Sequence, residues 1–271
     1  MATYAFLVVI ATINVFPFIW MLVTSFKSPG SVFDIPPNLN PDLLWTEQRF
    51  DAYREVLVEE NFVRFLLNSM LIATVTAIGQ VVTGSLAGFA FAKLQFWGRD
   101  VLFGILLISS IVPVEVTIIP EFILVDRLGW ADSYLPLIVP SWLVGTLGTF
   151  LYREAFKTVP GELSEAAAVD GAGVFRIYWS IYMPLSVPVT VTLFLIAFIN
   201  SWNELLRPVL YISSENLRTV TLGLTTFQSE HNAEWDLLMA ASVVAIVPLL
   251  LVYVLGQRWI VQGIATQGLK G

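Results

Sequence analysis

Two short stretches carry the residue types that could bind a partner or a solute. From 152 to 184 the chain reads YREAFKTVPGELSEAAAVDGAGVFRIYWSIYMP. Pro160 and Gly161 break the preceding segment, 162–169 is built of strong helix formers, and Gly171 and Gly173 end or bend that helix. The small side chains of Ala166, Ala167 and Ala168 let another surface approach closely, and Glu165 and Asp170 would then pair with donors on it. An Ala-rich helix without bulky anchors holds a lipid surface poorly, which favours a protein partner. The second stretch, Asn200-Ser201-Trp202-Asn203-Glu204, sets amides beside an aromatic ring. Amides bond sugar hydroxyls and a ring stacks on a sugar's C–H face. The same residues equally suit helix–helix hydrogen bonding plus a local Glu204–Arg207 pair at i, i+3.

Other chemistries find little support. His231, the single histidine, lies in the acidic run QSEHNAEW and reads as a solvated surface residue. There is no HExxH, no GxSxG and no cysteine, and Glu59-Glu60 sits in a charged stretch. A phosphate loop needs a lysine next to its glycine-bounded nest, and the chain has no Gly-Lys pair, so it cannot hydrolyse ATP by that route. Glu115 and Glu121, in IVPVEVTIIPEFILVDRLGW, are acids beside an apolar run. An ionised carboxylate is costly in hydrocarbon, so each must face protein, water or the headgroups. Glu115 reads as either a pathway-lining acid or a headgroup acid, Glu121 as the latter.

The elements that must position these residues are apolar. Of 271 residues 13% are charged, against roughly 25% in soluble domains, and 56% are hydrophobic. This excludes a disordered chain, and the absence of cysteine excludes a disulfide scaffold or thiolate chemistry. The net charge of −7 argues against nucleic acid as a partner. Six runs lack Asp, Glu, Lys and Arg: 1–26, 65–92, 101–114, 133–152, 177–203 and 237–257. About 20 apolar residues cross the hydrocarbon, so five are long enough alone, and the third must continue through Glu115 to about residue 125. The expectation is an all-α polytopic membrane protein, a single domain over 1–271, with spans at about 4–25, 65–92, 101–125, 134–152, 178–203 and 237–257. The first span reads as a retained helix rather than a signal peptide, having no basic start and no clear cleavage site. An even count places both termini on one side with 93–100 and the 153–176 loop. That side carries its basic residues at the higher density, which makes it cytoplasmic. The opposite segment 27–64 is rich in turn residues and then offers RFDAYREVLVEENF as a short surface helix. Gly84-Ser-Leu-Ala-Gly88 is a GxxxG that marks a close helix crossing, within the chain or against a partner.

Glu165-Ala166-Ala167, three residues, Gly171, nine residues, Ile181, one residue and Met183-Pro184 resemble the EAA motif, EAA-x3-G-x9-I-x-L-P, of the permease subunits of bacterial ATP-binding-cassette importers. Met183 stands where that pattern has Leu. Asn200 to Glu204 before Pro208, the tail QRWIVQGIATQGLKG and the opening span followed by FKSP are similar to the maltose-type sugar permeases, in the shorter six-span partner of a two-permease pair. The resemblance implies the type I importer fold and an inner-membrane location. It also implies a second homologous permease, two cytoplasmic ATPases that bind Mg-ATP, and an extracytoplasmic solute-binding protein. This chain would hold no cofactor, have no enzymatic activity and form half of a pathway for a di- or oligosaccharide. Glycerol phosphate or a glycosylated compatible solute is the alternative, and a secondary transporter a more distant one. Glu165, Ala166, Ala167 and Gly171, with Asp170, would contact an ATPase. So would the tail, through Gln262, Gln267 and Gly268. Asn200, Trp202, Asn203, Glu204 and Glu115 are the candidate pathway residues.

Overall fold

Every regular element is helical among the described residues, as hydrocarbon demands of a chain whose backbone groups find no water there. The structure is a computed structural model and describes residues 1–35, 39–143, 145–228 and 234–268, the last nine by backbone alone. His231 lies outside the described residues. The main helices are α1 (Ala2–Thr24), α2 (Phe62–Lys93), α3 (Arg99–Ser109), α4 (Val114–Arg127), α5 (Thr146–Thr158), α6 (Gly161–Val169), α7 (Val187–Trp202), α8 (Leu206–Tyr211) and α9 (Trp235–Gly268). Four helical stretches are long and apolar enough to cross a membrane, and six if each of two bent pairs is one span.

Those pairs put a bend in two expected spans. The stretch 101–125 is not one helix: α3 and α4 meet at 99°. Pro113 has no N–H to continue α3 and is extended (ψ 145°), so α4 starts anew after it. Glu115 thereby sits in the exposed first turn of α4 rather than near the end of a span. The stretch 178–203 is likewise broken. Val174–Leu185, with a π-helical turn at Tyr178–Tyr182, meets α7 at 79°. The break falls at Ser186 (φ −105°, ψ 15°), between Pro184 and Pro188. The fourth stretch opens with a turn at Leu135–Ile138, and α5 runs six residues past the expected end at 152.

Contacts divide the chain into two units, residues 1–69 with 218–251 and residues 70–217 with 252–271. In the first unit, Lys27 at the foot of α1 is 1% exposed, its ammonium 5.3 Å from the Trp20 ring. Ser25 and Tyr53 share a hydroxyl hydrogen bond (2.7 Å), and Asp42 accepts from the Ser28 N–H and hydroxyl and from the Ser31 hydroxyl. The expected surface helix appears as Asp51–Arg54 and a π-helical turn at Glu55–Glu59. Ser69 accepts the Val220 N–H (2.8 Å), and Gly223 lies against the Phe65 ring.

In the second unit the GxxxG makes its crossing within the chain. A Cβ on Gly84 would lie 3.1 Å from Gly148 backbone, and one on Gly88 would lie 2.5 Å from Tyr152 Cβ and 2.9 Å from Arg153 N. Thr146 donates to the Leu106 carbonyl (2.9 Å), and the Arg153 guanidinium stands 4.1 Å over the Phe103 ring. Backbone forms the wall at Gly88, so no flexible side chain can yield to a larger residue. Gly88→Leu should therefore cost about 1–3 kcal/mol or more through overpacking. A thermal-unfolding midpoint measured in detergent should fall for Gly88→Leu and hold or rise for Gly104→Ala, whose Cβ meets nothing within 4 Å.

Candidate functional site

Helix α6 covers Gly161–Val169, as the run of helix formers predicts, with Pro160 extended before it. It ends in a Schellman arrangement: the Ala172 N–H donates to the Ala167 carbonyl (2.9 Å) and the Gly171 N–H to the Ala168 carbonyl (3.0 Å). That closure requires Gly171 in the left-handed region, where its φ is +80°. Gly173 caps the helical turn that follows at Val174–Ile177. No residue of α6 is buried. Glu165, Ala166, Ala168 and Asp170 are exposed, and Ala167 is half-buried against the core. The helix thus presents small residues and two carboxylates on an open surface.

What seats α6 is an aromatic cluster of Phe89 from α2, Tyr152 and Phe156 from α5, and Tyr178 and Tyr182 from the π-helical turn. The Phe89 ring lies 5.3 Å from Tyr178 and 5.2 Å from Tyr182, and Phe156 lies 5.4 Å from Tyr182. The hydroxyls are all used: Tyr178 bonds Ser85 (2.8 Å), Tyr152 donates to Thr190 (2.7 Å) and Tyr182 bonds Ser164 of α6 (2.5 Å). At the end of α2 the Lys93 ammonium donates to the Val159 carbonyl (3.0 Å), just before α6, and stands 5.1 Å from the Tyr182 ring. A cleft of about 340 Å³ opens beside these groups, lined by Lys93, Ser164, Glu165 and Tyr182.

The candidate pathway residues are not brought together as one surface. Asn200 and Asn203 are exposed, but Trp202 is 2% exposed and stacked on Phe198 at 5.8 Å, so its ring is spent on the core. Glu204 forms the expected pair with Arg207 (3.3 Å) and also accepts the Leu206 N–H (3.0 Å). Glu121 takes the Arg207 fork through both oxygens, at 2.8 and 3.0 Å. Tyr211 adds its hydroxyl to Glu121 (3.3 Å). The bonds from Glu121 raise the affinity of Arg207 for its proton, and burial together with Glu121 pushes the Tyr211 phenol up to about 12. Close by, Asp132 accepts the backbone N–H of Ser213 and Ser214 and the Ser214 hydroxyl. The hydroxyl bond to Ser214, the largest cause, holds the carboxyl of Asp132 below its ordinary range. Glu115 lies apart from this group, exposed on α4. Gln262, Gln267 and Gly268 fall on the last turns of α9, and their side chains lie outside the described residues.

Known proteins resemble the chain over nearly its whole length. It is 33% identical over 258 residues to the sn-glycerol-3-phosphate transport system permease protein UgpE of Brucella abortus, covering 92% of this chain and 90% of that one. The protein of that name from Rhizobium meliloti is 34% identical over 257 residues, covering 93% and 91%. Among solved structures, a chain of a bacterial ABC transporter involved in the import of the acidic polysaccharide alginate superposes with a TM-score of 0.83. It is 22% identical and covers 96% of this chain and 95% of its own. A second alginate-transporter structure, in complex with an alginate-bound periplasmic protein, gives a TM-score of 0.67. The fold is that of a type I ABC importer permease. Residues 80–266 match the family described as binding-protein-dependent transport system inner membrane component, and the chain belongs to that family.

Proposed function

We propose that this permease is one of two homologous subunits that enclose a translocation pathway for a sugar or sugar derivative, and that α6 couples it to a cytoplasmic ATPase. A solute-binding protein delivers the solute from outside, and the ATPase subunits hold Mg-ATP. The observation that carries this reading is α6 itself: a nine-residue helix with no buried residue, fixed at its end by Gly171 and open along Glu165 and Ala166. Such a surface is formed before the partner arrives and fits a cleft bearing hydrogen-bond donors. The sidedness is in keeping with it. Lys93 meets Val159 and Glu121 meets Arg207, each pair joining two segments expected on one face of the membrane. The face with α6 is then cytoplasmic, along with both termini.

On the solute, the relatives named for sn-glycerol 3-phosphate and the neighbour that imports alginate leave a neutral sugar and an anionic one both open. Arg207 stands on α8, just beyond α7, and Glu121 and Glu204 already hold it, two carboxylates to one guanidinium. An anion would be repelled there, which favours a neutral saccharide through this subunit or phosphate recognition by the partner permease. Uptake into cells expressing the whole transporter, competed with maltotriose or sn-glycerol 3-phosphate, separates the two. Competition by the saccharide alone is the expected outcome, and competition by glycerol phosphate alone reverses the assignment. Coupling is tested independently. Gly171→Pro cannot adopt φ +80°, and Glu165→Lys reverses the charge of the open face. Both should reach the membrane at normal levels yet lose at least about tenfold in ATP-driven uptake, equivalent to about 1.4 kcal/mol of lost coupling. Normal uptake by both variants removes the coupling role of α6.

A further inference from the structure

Four elements meet at one tyrosine. Tyr182 is 1% exposed, its ring is packed by Phe89 of α2 and Phe156 of α5, and Lys93 of α2 stands over the ring. Its hydroxyl leaves that cluster and meets Ser164 of α6. Among the described residues this is the only side-chain hydrogen bond between α6 and another element. Tyr182 also closes the π-helical turn, four residues before the chain breaks at Ser186 and turns by 79° into α7. The same Lys93 that packs on the ring fixes the Val159 carbonyl where the chain enters α6. Displacement of α6 therefore has one side-chain polar path leaving the helix itself, and it passes through Tyr182.

We propose that Tyr182 is a positioning residue for coupling: its hydroxyl on Ser164 transmits the movement of α6 to α2, α5 and the break before α7. The assignment rests on the coupling role proposed above for α6, and it gives a function to a residue that the EAA pattern leaves free. A ring that served packing alone would not need its hydroxyl, so Tyr182→Phe isolates the claim. The bond is between neutral groups, and its loss should weaken transmission by a factor of about three to ten.

The chain has no cysteine, so one can be introduced as a clean reporter. Val209→Cys is exposed on α8, away from the coupling surface. In the complete transporter in proteoliposomes, the labelling rate of this cysteine by a maleimide is measured with and without ATP plus vanadate. The nucleotide-dependent change in rate should fall at least about threefold in Tyr182→Phe and equally in Ser164→Ala, with no further loss when the two are combined. Ser164→Thr, which keeps a hydroxyl, should restore it. Co-purification of the ATPase should stay at the value of the parent reporter. A full nucleotide response in Tyr182→Phe overturns the proposal while leaving the coupling role of α6 intact. Equal losses in the two single variants that add in the double variant also overturn it, since they mark independent packing defects. A parent reporter whose labelling ignores nucleotide, in a transporter that hydrolyses ATP, removes the coupling reading and this proposal with it.

Discussion

The close crossing of α2 and α5 is the contact on which the α6 end of the second unit depends. Between helices in lipid there is no hydrophobic driving force, so association rests on how closely the backbones approach. Gly84 and Gly88 on one side and Gly148 on the other remove the side chains that would hold them apart. Once the helices touch, Phe89 and Phe156 come within 6.1 Å of each other, and Tyr152, Tyr178 and Tyr182 fill the space around them. Tyrosine rather than phenylalanine at those three positions would be costly without partners, and Thr190, Ser85 and Ser164 supply one hydroxyl each. The support for α6 is thus set by glycines that lie one and two turns inside α2.

The same economy of backbone governs the two breaks. Where α3 ends, Ser110, Ile111 and Val112 donate to carbonyls three residues back, which tightens the last turn and leaves few groups open before Pro113. At Ser186 the N–H still reaches the Met183 carbonyl, and Thr190 donates its N–H back to Ser186. Each break redirects the helix beyond it. Glu121 is carried by α4 to meet Arg207 beyond the end of α7, and that pair could not form if 101–125 were a straight helix leading away from its own base.

Much of this architecture is legible in the residues themselves. The helix formers of ELSEAAAV and the breakers on either side locate α6 to within one residue, because its signals are local. Gly171 reads correctly as a terminator for the reason the geometry gives, a left-handed φ. The GxxxG announces a close crossing but not its partner, since Gly148 lies about 60 residues away in sequence and any small-residue face would serve. Counting charges finds apolar runs but is blind to a bend inside one, and the prolines at 113, 184 and 188 carry that signal. An aromatic beside amides reads equally as a sugar platform or as helix packing, and only the folded chain shows the Trp202 ring stacked on Phe198. Glu121 and Arg207 stand 86 residues apart, so only their expected position on the same side of the membrane hints that they could pair.

The two ends of the second unit are held by interactions of different strength, and the difference bears on what each end can do. At Arg207 the bonds are charge-assisted, bidentate and shared among two carboxylates, which makes a stiff junction between α4 and α8. At α6 there are one neutral hydroxyl pair, the single Lys93 bond to the Val159 carbonyl just before the helix, a half-buried Ala167 and a glycine-closed end. A helix of nine residues is shorter than the roughly 12–15 that stand alone in water, so α6 draws its order from that small set of contacts. Weak attachment with a fixed shape is what a docking element needs. It keeps the surface ready for a partner, and it leaves the larger part of its final stability to be supplied by whatever binds its open face.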